Sequence, residues 1–194
     1  PTTESPEGVK GGSWKTAGSI EHGAKMDEET IRLYKERGAF VCTTISPALP
    51  MHCLSGHFRA SEKDQYNGRI VFDGVVESAR TALANGIPVG LGNDVGCPYI
   101  TQYDFWRELC YFHKYCGVSN QFALHTATLR NARLAGVGDV TGSIEAGKSA
   151  ISRDPEEPAG RPDCLRQLEL VVCRGRAVPQ ARSQAEQTVE LPLP

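Results

Sequence analysis

Apolar and polar positions alternate along this chain in two rhythms, short apolar runs bounded by glycine and longer stretches with helical spacing. Gly86 to Pro98 is the clearest of the short runs. Ile87, Val89 and Leu91 make a brief apolar segment between glycines, which suits a buried strand of a parallel sheet. That strand would deliver Asp94 to its carboxyl end. In parallel α/β architectures the loops at that end converge on a common mouth, where chemistry resides.

The same reading applies upstream. Pro1 to Thr16 is polar and glycine-rich, and Gly11, Gly12 and Ser13 interrupt the helical tendency of Glu7 to Lys10. Ala17 to Gly23 offers a short strand that ends on His22 and Gly23. Met26 to Arg37 predicts a helix, with Asp27 as its cap, Glu28 and Glu29 in its first turn, and Lys35 and Arg37 before the Gly38 stop. Ala39 to Ile45 is rich in β-formers and predicts the next strand. Ser46 to about Arg69 reads as a long loop carrying His52 and His57, a lid or site loop by its length. Phe72 to Asn85 predicts a helix with Val75, Val76, Ala79, Ala82 and Leu83 on its buried side. Thr101 to Tyr115 and Ser119 to about Leu134 predict two more. Phe105, Trp106, Leu109 and Phe112 form a packing face rather than a cofactor box. Strand alternating with helix in this order predicts a parallel sheet.

Composition narrows the function classes. The chain has 194 residues, 40% of them hydrophobic, enough to bury a core. A net charge of -2, with no basic stripe, argues against nucleic acid and anionic membrane as partners. No apolar run is long enough to span a bilayer, and no opening segment is of signal-peptide type. The seven cysteines are scattered without a Cys-x-x-Cys pair, so the expected compartment is the reducing cytoplasm.

Four motifs occur in order: Ser19-Ile20-Glu21-His22-Gly23, Gly90-Leu91-Gly92-Asn93-Asp94-Val95-Gly96, Ala127-Thr128-Leu129-Arg130-Asn131-Ala132-Arg133, and Gly142-Ser143-Ile144-Glu145-Ala146-Gly147-Lys148-Ser149-Ala150. Over roughly residues 17 to 150, this pattern resembles the C-terminal part of the metal-dependent amidohydrolases. Their imidazolonepropionase-like and Xaa-Pro-dipeptidase-like subgroup is the nearest match.

The resemblance implies an α/β fold, the C-terminal part of a (β/α)8 TIM-like barrel holding its last three strands, with a remnant of a flanking β-sandwich. It implies a partial barrel over residues 1–141 and a return segment to the sandwich over 142–178, while the polar, proline-bounded stretch 179–194 reads as a disordered tail. In that frame His22 is a metal ligand at a strand end. Asp94 is both a metal ligand and the base that takes the proton from the attacking water. The implied cofactor is a divalent metal, zinc by its imidazole and carboxylate donors, with one or two ions in the parent fold. The implied reaction is hydrolysis of a carbon–nitrogen bond in an amide, a cyclic amide or a dipeptide.

The departures from the family pattern carry their own expectations. The family's His-x-His pair, its bridging lysine and a further histidine have no match among His22, His52, His57, His113 and His125. Three strands cannot close a barrel, and a zinc site needs three or four protein ligands. The first residue is Pro1 rather than a methionine. The chain is therefore expected to be a portion of a longer fold, inactive alone, and its open strands predict aggregation or assembly with another copy. The apolar pattern fails over Ile151 to Gly160 and resumes at Leu168 to Arg176, as a pair of compensating frame slips would produce. Restoration of an apolar strand in another reading frame of the coding DNA tests this.

Each residue also has a plainer reading. His22 alone could be an ordinary strand-end histidine, and Asp94 a turn former. Cys97 and Tyr99 read equally as pocket lining and as loop packing. Glu21 and Asn93 should point away from the mouth because neighbouring strand positions alternate. His52 and His57 read as exposed, and His113 and His125 as helix surface. Two rival classes remain, a non-catalytic fragment or pseudo-enzyme and a dinucleotide-binding turn at Gly90, Gly92 and Gly96. The glycine spacing and the acid at Asp94 go against the second.

Overall fold

A computed structural model describes residues 2–3, 5–11, 18–50, 61–97, 99–149, 151–154, 162–166, 170–174 and 176–179. The chain divides into two compact units, Pro1–Ile100 and Thr101–Leu193. The first holds a four-stranded parallel sheet in the order β1 (Thr2–Thr3), β2 (Ser19–His22), β3 (Phe40–Thr43) and β4 (Val89–Leu91). Its register pairs Glu21 with Cys42 and Thr43 with Leu91, so these strands finish almost level. The expected three parallel strands are thus corrected to four. Thr2–Thr3 is too short to show any periodicity and is recruited by pairing with Glu21 and His22.

Helices join the strands. α1 (Pro6–Gly11) takes up the helical tendency of Glu7 to Lys10 and ends at Gly11; Ser5 Oγ accepts the Gly8 amide at 3.0 Å and Pro6 suits a first helical position. α2 (Glu28–Arg37) starts on Asp27, whose carboxylate accepts the Thr30 amide, and stops at Gly38 with φ 61°. α3 (Glu62–Ala84) begins well before Phe72, which shortens the expected Ser46 to Arg69 loop. Its first turns are polar and carry no apolar stripe. A capping box between Ser61 and Asp64 starts them, and Arg69 pairs with Asp73 at 3.7 Å. Further along, α3 buries Phe72, Val75, Val76, Ala79 and Ala82, each of the larger ones contributing about 1.5–3 kcal/mol. His52 and His57 lie outside the described residues.

Lys10 of α1 forms an ion pair with Asp27 and reaches Glu29 at 3.3 Å. The Lys10 ammonium, together with the Thr30 donors, holds the Asp27 carboxyl well below its ordinary value of 3.8. A depressed folded-state pKa makes this contribution fully present above the unfolded value and lost as the pH falls through the folded one. Wild-type urea midpoints are therefore expected to fall more than those of Asp27→Asn as the pH is lowered from about 5 to about 2. Parallel curves for the two proteins would contradict this coupling.

The second unit contains α4 (Phe105–Cys116), α5 (Asn120–His125), a π-helical turn over Thr126–Arg130 and α6 (Asn131–Leu134). Trp106, Leu109 and Phe112 are buried, as a packing face requires, and Ser119 caps α5 by accepting the Phe122 amide. An antiparallel sheet follows, with β5 (Ile151–Asp154), β6 (Leu170–Cys173) and β7 (Arg176–Pro179) in that order. β5 therefore pairs inside the segment where the apolar pattern fails, because strand pairing is a backbone property. Residues 180–194, most of the expected tail, are outside the described residues. Among the described residues no helix is long and apolar enough to cross a membrane.

Candidate functional site

The carboxyl ends of β2, β3 and β4 each deliver one residue of the candidate site. β2 ends on His22 at φ 67°, and the Gly23 amide donates to Glu21 O at 2.9 Å. That three-residue hydrogen bond around a positive-φ residue marks a strained γ-turn. A bulky residue adopts such backbone only where its surroundings over-determine it. Here Gly23 also donates to Thr3 O at 3.1 Å, which ties the turn to β1.

Thr44 follows the last residue of β3 and is buried. Its Oγ1 lies 2.7 Å from His22 Nδ1. A Cβ on Gly92 would approach Thr44 Cγ2 at 3.2 Å and Cys42 Sγ at 3.3 Å, so the small residue after β4 leaves room for this pair. Val41, one position out of phase with Cys42 and Thr44, lies toward α3 with Ser78, as the contacts around Gly23 show. The mouth-side face therefore carries Cys42 and Thr44.

Beyond β4, Asn93 is buried and Asp94 is exposed at φ 50°. The Cys97 amide donates to Asp94 O at 3.2 Å, and the Cys97 thiol donates to Asp94 Oδ2 at 3.1 Å. Cys97 thus restrains the aspartate as well as turning the loop. Tyr99, at φ 70°, stays 43% exposed, too open for a buried packing role. Glu21 takes a hydrogen bond from Ser19 Oγ at 2.5 Å. It also contributes, after burial, to raising the Tyr34 phenol, which places its charge toward α2 as strand alternation expects.

The remaining histidines sit elsewhere. His113 is exposed near the end of α4, with Nδ1 2.6 Å from Val118 O, and His125 is exposed at the end of α5. Among the described residues no group of three or more His, Cys, Asp or Glu could hold a metal ion. His22 and Asp94 are donors of the right kind for a divalent cation, but two do not make a complete set. Thr44 was missed by sequence reasoning, since nothing in Phe40 to Ile45 distinguishes its hydroxyl from that of Thr43.

The comparisons with known proteins agree on one family. Residues 3–151 match the model of the amidohydrolase family. A solved protein from Bifidobacterium longum, provisionally assigned as a prolidase, is 33% identical, with a TM-score of 0.85 over 91% of this chain and 46% of its own. A Xaa-Pro dipeptidase solved with methionine in its active site is 25% identical, with a TM-score of 0.75 over 92% of this chain and 44% of its own. Ochratoxinase of A. niger shares the fold, with a TM-score of 0.75 at 19% identity, over 92% of this chain and 41% of its own. The chain spans less than half the length of these solved relatives. No match was found among curated protein sequences. A family match over most of the chain, joined to the prolidase-like likeness at 33% identity, has one consequence: the chain belongs to the amidohydrolase family.

Proposed function

We propose that this chain carries part of the active site of a metal-dependent hydrolase that cleaves a carbon–nitrogen bond in a small molecule, with a dipeptide as the favoured substrate class. The observation that carries the reading is the pair His22 and Asp94, each held at positive φ at the carboxyl end of a parallel strand, His22 as the last residue of β2 and Asp94 in the turn after β4. The parallel sheet is read as a portion of a (β/α)8 barrel, whose active sites lie at that end. The prolidase and Xaa-Pro dipeptidase likenesses favour a dipeptide over a cyclic amide.

In this reading His22 and Asp94 would help to hold a divalent cation, zinc by preference. When bound, such an ion supplies Lewis acidity and a hydroxide nucleophile near neutral pH. Asp94 takes the proton from the attacking water and returns it to the leaving amine, two tasks that suit a carboxylate at an exposed strand end. Cys97, bonded to Oδ2, limits the orientations that the carboxylate adopts. The low net charge and a small-molecule substrate fit a cytoplasmic enzyme without nucleic-acid or membrane partners.

A second reading has its own observation: the described residues hold no three-membered ligand group. On that reading the chain by itself is a non-catalytic portion of a hydrolase. Zinc stoichiometry on the dialysed wild type and on Asp94→Ala separates the two. About one equivalent retained by the wild type and lost by the variant is the result expected of a working site. Absence of metal from both overturns the hydrolase reading for the isolated chain.

A further inference from the structure

We propose that Thr44 is the positioning residue for His22: it accepts a hydrogen bond from the Nδ1–H of the imidazole, so that the ring is held in the tautomer whose Nε2 keeps its lone pair. The direction of this bond rests on the proposed ligand role of His22. The contact itself does not. Thr44 Oγ1 and His22 Nδ1 are 2.7 Å apart, joining the end of β2 to the residue after β3, 22 positions on.

Three features make this contact specific. His22 is fixed from below by the γ-turn that Gly23 closes, so its Cα–Cβ direction has little freedom. Thr44 is only 6% exposed, so water competes weakly for its hydroxyl. Gly92 leaves room for the Thr44 methyl group in the rotamer that carries Oγ1 toward the ring, where any side chain at that position would crowd it. Neutral imidazole has one donor and one acceptor nitrogen, and fixing one of them fixes the other. A hydroxyl that accepts from Nδ1 leaves Nε2 with its lone pair free to ligate. A hydroxyl that donated to Nδ1 would place the proton on Nε2 and block ligation there.

The experiment is long-range proton–nitrogen NMR on the full chain with nitrogen-15 histidine, without metal, at about pH 8.5 where free imidazoles are neutral. His22 is assigned by loss of its signals in His22→Gln. Wild type is expected to show a protonated Nδ1 and an unprotonated Nε2, a single-tautomer pattern. Thr44→Val, which keeps the shape and removes the acceptor, is expected to lose that pattern, and Thr44→Ser to restore it. A protonated Nε2 in the wild type overturns the proposal, as does a Thr44→Val spectrum unchanged from wild type. Should Thr44→Val fail to fold, the wild-type and Thr44→Ser spectra still decide the direction of the bond. Tautomer is read without zinc or substrate, so a Nδ1-protonated His22 in a chain that retains no zinc would sink the hydrolase reading and leave this inference standing.

Discussion

Gly23→Ala is expected to destabilise the folded chain by about 2–4 kcal/mol, the sum of a left-handed backbone penalty and local overpacking. Gly23 sits at φ 88°, where a Cβ is disfavoured regardless of its surroundings. A Cβ there would also lie 2.5 Å from Ser78 Oγ on α3, and 3.2 Å from its Cβ. Both costs fall directly after His22, at the turn that presents the imidazole. The double variant Gly23→Ala/Ser78→Ala separates them. Ser78 Oγ is buried without a hydrogen-bond partner among the described residues, so Ser78→Ala alone should change stability little or raise it slightly. The double variant should relieve the overlap with Oγ, the closer of the two contacts, and keep the backbone penalty. Urea unfolding of the four proteins measures this, and a Gly23→Ala midpoint equal to wild type would refute it.

The second large effect belongs to the other unit. Phe112→Ala is expected to cost about 3–5 kcal/mol. Phe112 on α4 is fully buried, and its ring meets that of Phe122 with centroids 6.3 Å apart and planes tilted by 32°. Truncation to alanine removes the buried ring and leaves a cavity that α4 and α5 can fill only in part. Phe112→Leu, nearer in volume, should cost less, about 1–1.5 kcal/mol. Equal losses for the two variants would show that ring shape rather than volume governs this contact. Thermal unfolding monitored by circular dichroism distinguishes these outcomes.

Both predictions depend on how much of the structure each residue type reveals in isolation. Gly23 was legible as the glycine closing a strand, but its need for φ 88° was not, because the turn is closed against Thr3 and Glu21. Phe112 was legible as part of an apolar helical face. Its partner Phe122 was not, because spacing along one helix says nothing of the neighbour it meets. The same division runs through α3. Its second half declared itself through Val75, Val76, Ala79 and Ala82, while its polar first turns required the Ser61 and Asp64 capping box to be seen. At the candidate site, His22 and Asp94 stood out as residue types at strand ends, but Cys97 and Thr44 acquired meaning only from contacts at 3.1 and 2.7 Å.

The sequence by itself determined the order of strands and helices from Gly18 to Leu134, the Asp27 cap and Gly38 stop of α2, and the placing of a histidine and an aspartate at the carboxyl ends of parallel strands. These features depend on residues within one turn or one strand, so local spacing and residue type suffice. Only the tertiary structure decided that Thr2–Thr3 is a strand, that His22 lies in a γ-turn, and that Thr44 bonds its ring. The strand pairing and the ring contact join positions about 19 or more residues apart, and the turn at His22 is held by the Gly23 amide reaching Thr3 O, about as distant in the chain. Such contacts form when strands align in register, and no local pattern encodes their partners.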